Sequence, residues 1–281
     1  MLPTPSTSHV SFDNIYEPAE DSYLFLDTLS SPSEAAWLSH RFSSSTSQDS
    51  DPPPLVVEVG CGSGVVLAFA AANSREIFGR EDILALGTDV NGDACRAARQ
   101  TVLTAIDEKR KEGTDTSISR TENDAHASIE STKDGHTRFI ASLTADLCSP
   151  LRPGSVDVLL FNPPYVPTPD VPPLPSSSTE QDSDPSAQSR TAKFERDSYL
   201  LSLSYAGGLD GMETTNRFLE AIPTVLNPHR GVAYVLLCAQ NKPEEVKARL
   251  RGEGWNAETV GRSGMQAGWE KLVIVRIWRE E

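Results

Sequence analysis

The run Leu55-Val56-Val57-Glu58-Val59, broken at once by Gly60-Cys61-Gly62-Ser63-Gly64 and followed by apolar Val65 to Ala72, most narrows the folds open to this chain. A short β-branched run of this kind is a strand buried on both faces, and such strands belong to parallel sheets covered by helices. The glycines allow a sharp strand-to-helix turn and a close approach of ligand to main chain. The pattern then repeats. Ile83 to Thr88 reads as a second strand closed by Asp89, with a helix over Ala94 to Ile106. Phe139-Ile140-Ala141 is a short third strand, with Ala145-Asp146-Leu147 just beyond it, and Val156 to Phe161 is the fourth. A helix over Met212 to Leu226, interrupted at Pro223, precedes a strand over Val232 to Leu237. Pro243 opens a helix to Arg251, and Leu272 to Trp278 is the final strand. Strands alternating with helices give an α/β fold with a mostly parallel sheet.

The fourth strand ends abruptly at Phe161-Asn162-Pro163-Pro164-Tyr165. Each proline fixes its own φ, and the residue before each is pushed toward extended geometry. The prolines offer no backbone N–H, so what remains is a rigid set of acceptors: the Asn162 side-chain oxygen and the backbone carbonyls. Tyr165 adds an aromatic plate. Such a site suits a planar group carrying an NH2, although a plain Pro-rich turn after a strand would look the same.

Of the 281 residues, 38% are hydrophobic, low enough to place part of the chain outside the core. Residues 1–14 read as a disordered N-terminal tail, Ser39 to Pro54 as a linker, and 15–281 as one domain. Two low-complexity insertions, at about 107–136 and 167–190, have too little apolar content to order themselves. A helix is expected to start near Pro18, with Glu20 and Asp21 at its N-terminus and Leu24, Phe25 and Leu29 on its apolar face. No run approaches transmembrane length, and Met1 to Ser6 has no secretory signature. The scattered cysteines Cys61, Cys95, Cys148 and Cys238 form no metal-binding pair and fit reduced thiols, so a cytoplasmic location, with a nuclear pool, is expected. A net charge of −15 argues against a broad grip on nucleic-acid phosphates.

Chemistry concentrates at the strand ends. In the glycine turn a carboxylate, Glu58, already sits where a pyrophosphate binder would place its anion, which favours a cationic ligand. Asp89 ends the adjacent strand and could accept both hydroxyls of a ribose, or simply cap the next helix. Asp146 could accept from an adenine amine, with the Leu147 backbone beside it. The glycine turn, Asp89, Asp146 and Asn162 fall at successive carboxyl ends, the edge at which open α/β sheets bind ligands.

Together these features resemble the class I methyltransferases that use S-adenosylmethionine. Phe161-Asn162-Pro163-Pro164-Tyr165 is similar to the motif of their amino-methylating branch. Tyr16-Glu17-Pro18-Ala19-Glu20-Asp21-Ser22 and Tyr205-Ala206-Gly207-Gly208-Leu209-Asp210-Gly211 resemble the HemK-related glutamine methyltransferases of eukaryotic and archaeal type. The resemblance spans about residues 12–38, 55–106, 137–166 and 199–278 and leaves out both insertions. It implies a Rossmann-like seven-stranded sheet whose last strand is antiparallel. It implies N5-methylation of the Gly-Gly-Gln glutamine of the class 1 translation termination factor. Glu58, Gly60, Gly62 and Asp89 would hold the methionine and ribose parts of the cofactor, and Asp146 and Leu147 the adenine. Tyr16 and the Glu20-Asp21-Ser22 turn would close over it from the N-terminal side. Asn162 and the Pro163 carbonyl would hold the glutamine amide, with Tyr165 against its plane, and no metal is implied. The same resemblance implies a small zinc-binding activator protein pairing near Phe139-Ile140-Ala141. Its rivals are methylation of a protein lysine or a nucleic-acid adenine, and a non-catalytic cofactor-binding subunit.

Overall fold

The computed structural model describes residues 2–42, 52–118, 136–175, 190–264 and 271–280. Seven strands form one sheet in the order β3-β2-β1-β4-β5-β7-β6. They are β1 (Leu55–Val59), β2 (Leu84–Asp89), β3 (Arg138–Thr144), β4 (Val158–Phe161), β5 (Val232–Leu237), β6 (Asn256–Arg262) and β7 (Val273–Trp278). The first five pair in parallel, and β7 lies antiparallel between β5 and β6. The eight α-helices of the described residues are α1 (Glu20–Leu29), α2 (Pro32–Phe42), α3 (Val65–Ala72), α4 (Ser74–Phe78), α5 (Gly92–Ile118), α6 (Arg190–Ser202), α7 (Glu213–Val225) and α8 (Pro243–Gly252).

Strand periodicity divides the core in two. Val56, Leu160, Tyr234 and Ile274 face one layer with Leu29, Leu38, Leu67 and Phe78, while Val57, Leu159, Val235 and Val275 face the other with Phe218, Ile222 and Leu250. Helix α3 is apolar all round because it is covered on every side, its residues Val65 to Ala71 all being buried. In register, Val59 sits beside both Thr88 and Phe161, so the ends of β1, β2 and β4 come level. The strand order reverses between β1 and β4, where a crevice opens.

The structure corrects several expectations. Residues 2–14 are not a loose tail: Val10 and Ile15 pack with Ala94, and Asn91 Nδ2 donates to the Asn14 carbonyl at 2.8 Å. Polar composition hid three apolar residues, Val10, Phe12 and Ile15, that dock on α5. The presumed linker begins inside α2, which runs to Phe42 with that side chain buried. The first insertion begins inside α5, which continues to Ile118 and is tied down where Lys109 Nζ donates to Glu76 and Arg110 donates to the Thr137 carbonyl. Residues 119–135 and 176–189 of the two insertions lie outside the described residues. The second insertion is ordered at its start, where Thr168 N–H donates to the Gly208 carbonyl and the Tyr199 hydroxyl to the Pro173 carbonyl. Its last residue, Arg190, already belongs to α6.

Candidate active site

The glycine turn is shaped by backbone geometry that side chains resist. Gly60 and Gly62 have φ of 62° and 49°. This aims the Gly62 N–H at Asp89, whose Oδ2 accepts it at 2.9 Å, while Oδ1 accepts the Asn91 N–H at 2.8 Å. A Cβ on Gly64 would lie 2.6 Å from the Ala98 Cα, so only glycine lets α3 and α5 close behind the turn. Asp89 is thus fixed at the end of β2 with spare lone pairs on both oxygens. Burial pushes its carboxyl up from its ordinary range, with the Asn91 and Gly62 N–H groups opposing.

A cavity of about 180 Å³ opens there. Its floor is acidic, with Glu58, Asp89, Asp21 and Asp146 among the lining groups. Glu58 is 4% exposed and accepts the Leu67 N–H of the first turn of α3 at 2.9 Å. Burial pushes its carboxyl up to about 8, the Leu67 bond partly offsetting this. A cation beside Glu58 would restore the ionised form, so this donor set fits a sulfonium and ammonium cofactor and not a pyrophosphate. Cys61 also lines the cavity, but its hydrogen bond with Cys95 and its burial keep its thiol protonated, which leaves it inert.

At the end of β4, Asn162 Nδ2 donates to Asp21 Oδ2 at 3.1 Å. Its Oδ1 is buried and, among the described residues, accepts nothing. A buried orphan acceptor is costly and asks for a donor from a ligand. Asp146 is brought to the rim, where its Oδ2 accepts from Arg217 of α7, so the pair must open or share for an amine to reach that carboxylate. Leu147 lies beside it with φ of 48°, a left-handed backbone rarely adopted by a leucine and a mark of local constraint.

Most residues singled out from the sequence converge: Tyr16, Ser22, Glu58, Gly60, Gly62, Asp89, Asp146, Leu147 and Asn162 all line the cavity. Three do not. Glu20 opens α1 but points to solvent. Pro163 is buried, and Pro164 lines the cavity instead. Tyr165 is half-buried against the core, its carbonyl accepts from Asn241 Nδ2 at 3.2 Å, and it is not among the residues lining the cavity. Sequence reasoning missed Arg217, the packing of Asn14 at the rim, and the wall supplied by Leu200 of α6, Leu203 just beyond it and the 171–174 segment. Helix α6 follows a Pro/Ser-rich stretch and carries a weak apolar stripe, so nothing local announced it.

The sheet order and this cavity define a class I S-adenosylmethionine-dependent methyltransferase. No family model matches the chain. It is 29% identical to the eRF1 methyltransferase catalytic subunit mtq2 of Schizosaccharomyces pombe, over 99% of this chain and 96% of that protein. It is 29% identical to Methyltransferase HEMK2 of Mus musculus, over 98% of this chain and 96% of that one. Among solved structures it is similar to the Mtq2–Trm112 complex of E. cuniculi, at 20% identity and a TM-score of 0.47, over 95% of this chain and 99% of that one. Over nearly its full length the chain is thus similar to these methyltransferases.

Proposed function

We propose that the chain methylates the side-chain nitrogen of the glutamine in the Gly-Gly-Gln motif of the class 1 translation termination factor. The observation that carries the reading is the unpaired Asn162 Oδ1, buried at the cavity beside an acidic cofactor floor. The names of the relatives, one of them an eRF1 methyltransferase catalytic subunit, support the substrate.

An amide nitrogen is a poor nucleophile because its lone pair is delocalised into the carbonyl. Asn162 Oδ1 accepting one of its N–H groups favours positive charge on that nitrogen, which develops chiefly in the transition state. A hydrogen bond to a group gaining charge contributes about 1.5–3 kcal/mol. Asp89 would hold the ribose, and Glu58 the positive end of the cofactor; S-adenosylmethionine supplies the methyl group as an electrophilic sulfonium. Among the described residues no cluster of ligands could hold a metal ion.

A partner belongs to the same proposal. Strand β3 is an edge strand, and Ile140, skipped by its register with β2, is 52% exposed. An apolar, unpaired edge invites a strand from another chain. A small zinc-binding activator fits that edge, and the complex would work in the cytoplasm.

The test is methylation of the purified termination factor by the enzyme with its activator, with the methyl group located by mass spectrometry. It should fall on the glutamine amide. In the same assay Asn162→Ala should lower turnover about 10- to 100-fold with cofactor affinity kept, and Asp89→Ala should lose cofactor affinity first. Methyl on a lysine or an adenine, or none on any substrate, would overturn the reading.

A further inference from the structure

We infer that Asp21 sets the orientation of the Asn162 amide and thereby makes it an acceptor, a positioning role that rests on the amide-binding reading above. An asparagine side chain can present either end to a pocket, and the two ends have the same shape. What decides between them is the partner. Asp21 is 3% exposed, and an ionised carboxylate can only accept. Its Oδ1 is occupied by the Ser22 N–H at 2.6 Å and the Ser22 hydroxyl at 3.3 Å. Its Oδ2 takes Asn162 Nδ2 at 3.1 Å. Because both oxygens of Asp21 face donors, the NH2 of Asn162 must point at Asp21. Its Oδ1 is then held where nothing in the described protein pairs with it. Turned the other way, Asn162 would offer an NH2 to the NH2 of a substrate, and the site would repel what it must bind. Helix α1 therefore completes the reactive end of β4 from a position 141 residues away in sequence.

The inference makes an ordering that a purely structural role does not. In Asp21→Asn, the oxygen of the introduced amide must still meet the Ser22 N–H, so the introduced NH2 faces Asn162. The Asn162 amide then turns, its oxygen toward α1 and its NH2 into the cavity. In Asp21→Ala, neither orientation is imposed, and part of the population stays productive. Turnover on a glutamine-containing substrate should fall by about 100-fold in Asp21→Asn and by about 10-fold in Asp21→Ala. Binding of the demethylated cofactor, read by calorimetry without substrate, should change to the same extent in both, within about 3-fold of each other, because both remove the same carboxylate from the cavity floor. A packing role would order the two variants the other way, since alanine removes more of the buried side chain.

The exchanged pair Asp21→Asn with Asn162→Asp gives a further readout. The amide, now on α1, would donate to one oxygen of the carboxylate, now on β4, and leave the other oxygen facing the cavity. Turnover should therefore rise at least about 10-fold above Asp21→Asn alone. Undiminished turnover in Asp21→Asn, cofactor affinities that separate the two variants as turnover does, or an exchanged pair no better than the single variant would overturn the inference. Misfolding of Asp21→Asn while Asp21→Ala folds would count against it too, because it would place the whole effect in packing. A wild-type enzyme that methylates no glutamine would instead fault the functional reading.

Discussion

Glu58 holds two obligations at once. It caps the first turn of α3 through the Leu67 N–H, and it lines the cofactor cavity as a buried acid whose carboxyl sits at about 8 instead of its ordinary 4.5. Between those two values the folded protein keeps a proton that the unfolded chain releases. The contribution of this group to stability is therefore full below pH 4.5 and is lost as the pH rises through about 8, at a rate of at most about 1.4 kcal/mol per pH unit. A cation bound beside it works in the opposite sense, favouring the ionised form and binding more tightly as the pH rises. Glu58→Gln keeps an acceptor for Leu67 and carries no charge. Without cofactor, its melting temperature should rise relative to wild type between pH 5 and 8, while its cofactor affinity should fall below wild type by a margin that widens over the same range. Scanning fluorimetry and calorimetry across that range would measure both. A difference that stays flat with pH would mean that Glu58 is ionised in the free enzyme.

At the scale of elements, α2 is riveted to β7 by a buried network that carries no part of the site. Arg276 donates to both oxygens of Glu34 at 2.9 and 3.0 Å, and its guanidinium lies 4.1 Å from the Trp37 ring centroid and 4.5 Å from that of Trp278. The Tyr234 hydroxyl donates to the same Glu34. Arg276→Leu would strand the Glu34 charge, so it should destabilise the fold by about 3–5 kcal/mol in urea unfolding, whereas the paired change with Glu34→Leu should recover much of that. Edge strand β3 gives a separable expectation. Ile140→Lys should leave the isolated protein as stable as wild type yet weaken association with the activator by at least about 10-fold. Unchanged association, measured by titration calorimetry on the co-expressed components, would move the partner to another face. These elements also show where the sequence was readable. Strands β1, β4, β5 and β7 announce themselves because each is an apolar run buried along almost its whole length, and β2 because its short apolar run leads straight to Asp89. Strand β6 does not: Asn-Ala-Glu-Thr-Val-Gly-Arg has polar residues throughout and becomes a strand only by pairing with β7 at the edge. Asp89 and Asn162 were legible because strand ends locate them, whereas Asp21 and Arg217 acquire their partners only through tertiary packing.

The whole molecule uses its first residues as a clasp. Asn14 lines the cavity, its carbonyl accepts from Asn91 at the start of α5, and its Nδ2 donates to Asp93 at 2.9 Å and to Asp197 of α6 at 3.3 Å. One residue thereby joins α5 to α6 across the rim. Val10 and Ile15 anchor the clasp on either side by packing with Ala94. Helix α6 has few other ties to the core, with Asp197 and Leu200 its buried residues, and Leu200 is part of the cavity wall. If the clasp holds α6 in place, removing residues 1–15 should loosen the wall without unfolding the sheet, whose strands begin at Leu55. Cofactor affinity should then weaken roughly 10-fold, and amide exchange should quicken over residues 190–204 while the β4 and β5 amides stay protected. Asn14→Ala should show the same pattern in smaller measure, because the apolar anchors remain. Cofactor binding to the full chain should slow exchange at residues 10–16 and 190–204 together, since both sides of the rim close on one ligand. Full affinity in the truncated protein, with α6 exchanging as in the intact chain, would mean that α6 is held by its own contacts and that the N-terminal segment only covers α5.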